Sequence, residues 1–216
     1  MSESFIAATA LGMARTNQKG LALSEIKTQI RASVAVKVTL LDDEKLIDQL
    51  WQLSQTCLSA LSNGGKIIFA GNGGSFADAQ HLSAEFTSRF LIERASLASL
   101  ALGTNNSAIS AIGNDYGYEQ VFARELSGIA KPADVFIPIS TSGNSLNILT
   151  AVGVAKELGV TTVAWTGETG GQLKSMCDCI CIPSHDTARI QECHIMIGHI
   201  LCGLVEKAYF QKGGEV

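Results

Sequence analysis

The chain has 216 residues, of which 46% are hydrophobic and 17% are charged, and it carries a formal net charge of −4. This size and composition fit one globular domain with a sizeable buried core. The net negative charge argues against unspecific binding to a polyanion, so nucleic acid is not an expected partner. No apolar run reaches the roughly 20 residues of a membrane span, and no basic segment precedes the apolar start as in a secretory signal. We therefore expect a cytoplasmic protein without a membrane partner.

Helical periodicity divides the first part of the chain. Residues 1–22 show no clear pattern and are predicted to form a loose N-terminal extension. From about residue 23 to 62, apolar side chains recur at helical spacing, and the turn Asn63-Gly64-Gly65 ends this segment. The prediction is one domain over residues 23–212, with helix at its N-terminal side.

Five short apolar runs follow and alternate with helical stretches. The predicted strands are Lys66–Ala70, Leu97–Leu102, Asp134–Ile139, Val160–Trp165 and Cys177–Pro183. The predicted helices cover residues 76–90, 105–128 with a break, 145–158, 171–176 and 188–210. Apolar strands separated by helices indicate a parallel sheet that is covered on both faces. We therefore predict an α/β fold whose five-stranded parallel sheet has the flavodoxin-like order 2-1-3-4-5.

Two loops that follow the first and third predicted strands are rich in glycine and hydroxyl side chains. They are Gly71–Ser75 and Ser140–Ser145. In a sheet of this order, ligands bind where strands one and three diverge, beyond their carboxyl ends. Topology and residue chemistry therefore select the same place for a binding site.

The loop Ser140–Ser145 has four hydroxyl side chains and a glycine immediately before a predicted helix. Amide groups at a helix N-terminus, together with hydroxyl donors, suit a phosphate. An ordinary N-cap is the alternative, but a cap uses one hydroxyl, so we favour phosphate binding. The turn Gly71–Ser75 lacks the G-x-G-x-x-G spacing and no G-K-[ST] follows, so a nucleotide is not indicated. Its glycines either admit a substrate close to the backbone or form a plain turn.

Two helices carry residues that fit a metal site or an acid–base pair. His81 and Glu85 are four residues apart and therefore share one helix face. A surface hydrogen bond is the commoner role of such a pair. The last helix offers Gln191, His194 and His199, and Gln191 shares a broad face with either histidine. Glutamine is not a usual zinc ligand, so spacing alone leaves the metal and the choice of histidine open.

Three of the six cysteines alternate along the last predicted strand, at Cys177, Cys179 and Cys181. In a strand they share one face. A thiolate metal site is one interpretation, but the C-x-x-C pairing of zinc modules is missing. We favour small apolar side chains that line the sheet of a reduced, cytosolic protein.

Several motifs, taken in chain order, resemble those of one family. They are G-N-G-G-S followed by H-L-S-A-E, then A-I-G-N-D-Y-G-Y, S-T-S-G-N-S, T-G-E-T-G-G and R-I-Q-E-C-H-I-M-I-G-H. Over about residues 25 to 210 the chain is similar to the phosphoheptose isomerases of the sugar isomerase (SIS) domain superfamily. The resemblance implies an aldose–ketose isomerase that converts sedoheptulose 7-phosphate to D-glycero-D-manno-heptose 7-phosphate through an enediol. That reaction would be the first step toward nucleotide-activated heptose for lipopolysaccharide and other cell-envelope polysaccharide.

The resemblance also implies a homotetramer with one zinc ion per subunit. The zinc ligands would be His81, Glu85, Gln191 and His199. The catalytic pair would be Glu85, which takes the proton from the carbon beside the carbonyl, and His199, the partner acid and base. The substrate contacts would be Asn72, Gly73, Gly74, Glu85, Arg89, Asn114, Asp115, Ser140, Thr141, Ser142, Ser145 and Gln191.

A regulator of the same fold, which binds the bacterial replication initiator protein, is the nearest alternative. Glu85, Ser142 and His199 distinguish the two classes, and all three are isomerase-like in this chain. One departure from the family pattern is Ala188, where some members carry a carboxylate, so we expect the fine positioning of the substrate to differ.

Overall fold

The computed structural model describes residues 3–211, and the side chains of residues 18–211. The elements are α1 (Glu3–Leu41), α2 (Glu44–Ser62), β1 (Ile67–Gly71), α3 (Gly74–Thr87), β2 (Ser99–Ala101), α4 (Asn106–Tyr116), α5 (Val121–Ile129), β3 (Val135–Ile139), α6 (Leu146–Glu157), β4 (Thr161–Gly167), β5 (Asp178–Ile182) and α7 (Thr187–Gln211). Residues 3–22 of the predicted extension lie within α1, and the domain boundary after residue 22 stays a prediction. Between residues 3 and 211, every helix is too short or too polar to cross a membrane.

The five strands form one parallel sheet in the order β2-β1-β3-β4-β5, which confirms the predicted topology. β1 and β3, near the middle of the sheet, bury every residue, which is why their sequences are continuous apolar runs. Ile67 and Phe69 pack against α2, α3 and α7, whereas Ile68 packs against α5 and α6 on the other face. Helices thus cover both faces of the sheet.

The observed bounds of most elements differ slightly from the predicted ones, and three elements differ in length or type. The predicted strand at 97–102 is shorter than expected: β2 is an edge strand that pairs with β1 only over Ser99–Ala101. The expected break in the helix at 105–128 falls at Gly117, whose φ of 92° ends α4. The segment at 171–176 is a single 3-10 helix over Gly171–Ser175.

Of the three alternating cysteines, Cys179 and Cys181 lie in β5 and Cys177 directly precedes it. Cys177 and Cys179 pack against the apolar cluster on the α5 and α6 face, as small apolar side chains do. Cys181 Sγ accepts a hydrogen bond from Thr166 Oγ1 at 3.3 Å. In the part of the chain that the structure describes, these thiols do not form a group close enough to hold an ion.

Candidate functional site

Three side chains from two helices meet at one point. His81 and Glu85 lie one turn apart on α3, and His199 comes from α7. The Nε2 atoms of the two histidines are 2.9 Å apart, and His81 Nε2 lies 3.2 Å from Glu85 Oε1. One ligand atom from each residue lies within 4.8 Å of the others, a grouping able to hold a metal ion. We call these three residues the histidine cluster.

His194, the other histidine that helical spacing left open, is fully buried away from the cluster. Its Nε2 donates a hydrogen bond to the carbonyl oxygen of Thr166 at 3.2 Å. Burial lowers the pKa of His194 to about 4, although the bond to Thr166 acts in the opposite direction. His194 is therefore a neutral residue of the core, and the structure brings His199 to His81.

The glycine turn before α3 makes room for Gln191. A Cβ atom on Gly74 would lie 2.6 Å from Gln191 Nε2, so a larger residue there would displace the amide. Gly73, one residue earlier, has a φ of 57°, which favours glycine. Gly74 thus permits the close approach of the Gln191 side chain, whereas Gly73 serves the conformation of the turn.

The loop Ser140–Ser145, which we call the serine loop, leads from β3 into α6. Ser140 Oγ and Ser145 Oγ lie 3.1 Å apart, and Ser142 Oγ accepts a hydrogen bond from the amide of Asn144 at 3.1 Å. Ser145 occupies the N-cap of α6, but its side chain makes no capping hydrogen bond. The plain N-cap interpretation therefore does not account for the hydroxyl groups, and the α6 N-terminus has an electrostatic preference for an anion.

The segment that contains the T-G-E-T-G-G motif and the two residues after it packs against the serine loop. Asn144 Oδ1 accepts a hydrogen bond from the amide of Gln172 at 3.0 Å, and the carbonyl of Gly143 accepts one from Leu173 at 3.1 Å. Gly143 has a φ of 66°, and a Cβ atom there would collide with the carbonyl of Gly170. The T-G-E-T-G-G motif thus shapes the serine loop through backbone contact.

Asn72, at the end of β1, is held by two residues that the sequence analysis did not select. The side chains of Asn72 and Asn147 exchange two hydrogen bonds, each of 2.9 Å. Tyr118 Oη donates a third bond to Asn72 Oδ1 at 3.2 Å. Asn147 is a buried amide within the apolar side of α6, and that break in periodicity is the one sequence feature that points to it.

Three residues that the resemblance implied lie apart from these contacts. Asn114 and Asp115, at the end of α4, are exposed and share a side-chain hydrogen bond of 2.8 Å. Arg89 is also exposed, and its Nε lies 3.4 Å from Glu93 Oε2. Within residues 18–211, no hydrogen bond or ion pair connects any of the three to the histidine cluster or the serine loop, so their roles stay predictions.

Asp78, also missed by the sequence analysis, lies one turn before His81 on α3. Burial raises the pKa of its carboxyl group to about 6, whereas the charge of His81 acts in the opposite direction. Its Oδ2 is buried without a hydrogen-bond partner among the described side chains. Its spacing from His81, three residues on one helix, was the available signal.

Comparison with known proteins gives consistent matches over most of the chain. A family model described as the SIS domain matches residues 33–167. The phosphoheptose isomerase of Aneurinibacillus thermoaerophilus is 51% identical over 187 residues, which cover 86% of this chain and 94% of that protein. The phosphoheptose isomerase 2 of Campylobacter jejuni is 49% identical over 191 residues, 88% of this chain and 95% of that protein.

Two solved structures show the same architecture. A phosphoheptose isomerase from Francisella tularensis matches with a TM-score of 0.82 at 34% identity, covering 86% of this chain and 98% of that one. A phosphoheptose isomerase from Neisseria gonorrhoeae matches with a TM-score of 0.80 at 38% identity, covering 85% of this chain and 98% of that one. The similarity therefore extends over the whole domain.

Proposed function

The chain belongs to the phosphoheptose isomerase family of SIS domain proteins, and on that basis we propose that it converts sedoheptulose 7-phosphate to D-glycero-D-manno-heptose 7-phosphate. It is an aldose–ketose isomerase. The observation that carries the proposal is the meeting of His81, Glu85 and His199. A carboxylate and two imidazoles at one point provide both a set of metal ligands and a pair of groups able to move a proton.

The serine loop binds the phosphate group of the substrate. No lysine or arginine lies in this loop, so the affinity comes from neutral donors and from the N-terminus of α6. Ser140, Thr141, Ser142 and Ser145 supply the hydroxyl groups. Ser145 supports this role because its side chain is not engaged as a helix cap.

The histidine cluster binds one zinc ion per subunit, with Gln191 as the fourth ligand. Two imidazoles and a carboxylate form a donor set that zinc accepts readily. The Nε2 atoms of His81 and His199 lie 2.9 Å apart, close enough for both to contact one ion. Zinc, when bound, polarises the carbonyl oxygen of the substrate and so acidifies the adjacent C–H group.

Glu85 and His199 move the protons of the reaction. Glu85 takes the proton from the carbon beside the carbonyl and returns it to the neighbouring carbon, and His199 exchanges the hydroxyl proton. A carboxylate bound to a metal is a weaker base, so the two oxygens of Glu85 have different tasks. Oε1, which lies 3.2 Å from His81 Nε2, would be the oxygen that holds the metal, and Oε2 would then be the one that takes the proton.

The sugar is held by the remaining residues that the family resemblance implies. These are Asn72, Gly73, Gly74, Glu85, Arg89, Asn114, Asp115 and Gln191. Among them, Asn72 is fixed by its paired hydrogen bonds with Asn147. Arg89, Asn114 and Asp115 are exposed, and their contact with the sugar is proposed on the family resemblance alone.

The functional assembly is a homotetramer, and α1 supports this proposal. One side of α1 is bonded to its own domain, where Arg189 donates to the carbonyl of Gln29 at 2.7 Å. Another side exposes a stripe of aliphatic residues, each about half exposed or more: Leu23, Ile26, Ile30, Val34, Val38 and Leu41. Such a stripe on a helix indicates an interface with another chain. Sedimentation of the purified protein tests this assembly, and a monomer would contradict it.

The protein acts in the cytoplasm, at the first step toward nucleotide-activated heptose for lipopolysaccharide. Six free thiols support a reducing compartment. The product of the reaction is an aldose with its phosphate at the far end, which suits activation at the anomeric carbon by later enzymes.

One assay tests the proposed function. Purified protein supplied with zinc and sedoheptulose 7-phosphate should form an aldoheptose 7-phosphate. A protein that binds the sugar phosphate without turnover, and binds the replication initiator protein tightly, would instead be the regulator.

A further inference from the structure

A buried ion pair holds the segment between α3 and β2 beside the histidine cluster. We call this segment, residues 88–98, the α3–β2 loop. Arg94 Nε, in the loop, lies 2.8 Å from Glu206 Oε1, and both side chains are only 2% exposed. Glu206 belongs to α7, the helix that carries His199. The pair therefore ties the loop to the helix of a proposed proton carrier.

Glu206 binds the backbone of the loop as well as Arg94. Its carboxylate accepts hydrogen bonds from the amides of Phe90 at 2.9 Å, Leu91 at 2.8 Å and Ile92 at 3.3 Å. Burial disfavours the charge, but these hydrogen bonds and Arg94 outweigh it and hold the pKa of Glu206 below its ordinary value. A charged carboxylate with four donors fixes the path of the backbone at this point.

Arg94 ties the same loop to the end of α3. Its guanidinium donates hydrogen bonds to the carbonyls of Glu85 at 2.7 Å, Phe86 at 2.6 Å and Ser88 at 3.1 Å. Carbonyls at a helix C-terminus have no partner inside the helix. Because Glu85 is among them, Arg94 binds the backbone of the proposed base directly.

Phe90 transmits the position of the loop to His199. The two rings are stacked, with centroids 5.6 Å apart and an angle of 16° between their planes. Glu206, about two turns beyond His199 on α7, binds the amide of Phe90 and so keeps its ring over the imidazole. The stack restricts rotation of the imidazole, and that rotation decides whether Nε2 faces His81.

We propose that Glu206, together with Arg94, is a positioning residue of the isomerase site, which holds Phe90 against His199 and fixes the backbone at Glu85. Its catalytic consequence rests on the proposed function, whereas its geometric part can be measured without a substrate. Buried ion pairs also occur as parts of a fold with no link to activity. The test must therefore separate a positioning role from a merely structural one.

Asp134 provides a matched control within the same chain. Its carboxylate is also buried, pairs with Lys66 Nζ at 2.6 Å, and accepts hydrogen bonds from the amides of Lys66 and Lys131. It lies at the amino end of β3, and none of these partners belongs to the histidine cluster or the serine loop. Asp134→Asn and Glu206→Gln thus remove the same kind of charge from two different places.

The experiment compares these two variants with the unchanged protein in three measurements. They are the midpoint of thermal unfolding, kcat and KM for the sugar phosphate, and the chemical shift of the His199 ring protons in histidine-labelled protein. The chain has four histidines, so a His199→Asn variant assigns the signal. We expect both variants to lower the midpoint of thermal unfolding. In each, buried N–H donors that bound a charged carboxylate face a neutral amide side chain with only one acceptor oxygen.

Only Glu206→Gln should lower kcat, by about tenfold or more, since small displacements of reacting groups reduce rates strongly. KM should change much less, because the serine loop is untouched. Only this variant should move the His199 signal away from its ring-stacked value. An unmoved His199 signal, or an equal loss of kcat in Asp134→Asn, would overturn the proposal.

Phe90 keeps the proposal testable if Glu206→Gln does not fold. Phe90→Leu removes the aromatic face and should shift the His199 signal and lower kcat, whereas Phe90→Tyr should restore the stacked signal. An unchanged signal in Phe90→Leu would overturn the proposal. The unchanged protein could show the ring-stacked His199 signal, and Glu206→Gln could move it, without any turnover of the sugar phosphate. That result would refute the proposed function and support the geometric role.

Discussion

His81 Nε2 and His199 Nε2 lie within hydrogen-bonding distance, at 2.9 Å, although 118 positions separate the two residues in the chain. One neutral imidazole can donate to the other, but two protonated rings would repel each other. Glu85 Oε1 adds a negative charge 3.2 Å from His81 Nε2. Two imidazole nitrogens and a carboxylate oxygen in this arrangement form a group that could hold a metal ion, as the proposed function requires.

The zinc content of the protein should therefore depend on His81 and not on Cys177, Cys179 and Cys181. Purified, dialysed protein should retain close to one zinc ion per chain, and His81→Ala should lose most of it, because a ligand is removed. His185→Ala is the matched control, since His185 is exposed and bound to Glu168 at 2.8 Å. Metal analysis of the unchanged protein, His81→Ala and His185→Ala measures the zinc content of each. Full zinc retention in His81→Ala, with loss only when Cys177, Cys179 and Cys181 are replaced, would place the metal at these three thiols.

Gly74→Ala should weaken the metal site through Gln191. The new Cβ would lie 2.6 Å from Gln191 Nε2, so the amide must move, while the end of a flexible side chain can move at little cost in stability. Zinc affinity and turnover should fall, and the unfolding midpoint should change little.

Gly153→Ala is the control for that substitution. Gly153 lies within α6, and a Cβ atom there meets nothing within 4 Å. This variant should gain about 0.5–1 kcal/mol of stability from the helix propensity of alanine, with unchanged zinc affinity. Unaltered zinc binding in Gly74→Ala would remove Gln191 from the proposed ligands.

Phosphate binding should depend on the hydroxyl groups of the serine loop. Ser142→Ala and Ser145→Ala should each weaken binding of the substrate, because a lost hydrogen bond to a charged group costs about 1.5–3 kcal/mol. Ser127→Ala is the control, since its hydroxyl only binds the carbonyl of Arg124 on the surface. Calorimetric titration with the sugar phosphate measures the three affinities. Equal affinities would show that the phosphate lies elsewhere.

The sequence predicted a parallel sheet because buried parallel strands leave continuous apolar runs, as in β1 and β3, and the strand order followed from the common order of five-stranded sheets of this kind. It also located the serine loop, since that loop follows directly from the end of β3. Both features are local, because each consists of consecutive residues in the sequence.

The residue pairs that hold the site in place could not be predicted from the sequence in the same way. Asn72 and Asn147 are 75 positions apart, and Arg94 and Glu206 are 112 positions apart. Nothing in the spacing of either pair indicates contact, because the fold alone brings them together. Helical spacing also fitted both His194 and His199, and only the packing of α7 against β4 shows that His194 faces the Thr166 carbonyl.

Stability should fall below neutral pH because of His194. The folded ring has a pKa of about 4, below its ordinary value of 6.5, so the unfolded chain binds a proton more readily. The stability that the neutral ring contributes is present above pH 6.5 and is lost progressively as the pH falls toward 4, on the order of 3 kcal/mol in all.

His194→Gln removes this titration while it keeps a donor for the Thr166 carbonyl. Urea unfolding at several values between pH 7.5 and 5 should therefore give a flatter dependence of unfolding free energy on pH in the variant. Parallel curves for the two proteins would show that another group causes the decline.

The central claim, that Glu85 is the base of an aldose–ketose isomerase, is tested most directly by the reaction in deuterated water. The unchanged protein should convert sedoheptulose 7-phosphate to an aldoheptose 7-phosphate with deuterium in part of the product, at the carbon that was the carbonyl, because the proton held on Glu85 exchanges with the solvent before it is returned. Glu85→Gln keeps the size of the side chain but not its basicity, so turnover should fall by about 10²-fold or more. Binding of the sugar phosphate should fall far less, because the serine loop is unchanged. Near-normal turnover and deuterium incorporation in Glu85→Gln would contradict the account, and the proton would have to be taken by another group.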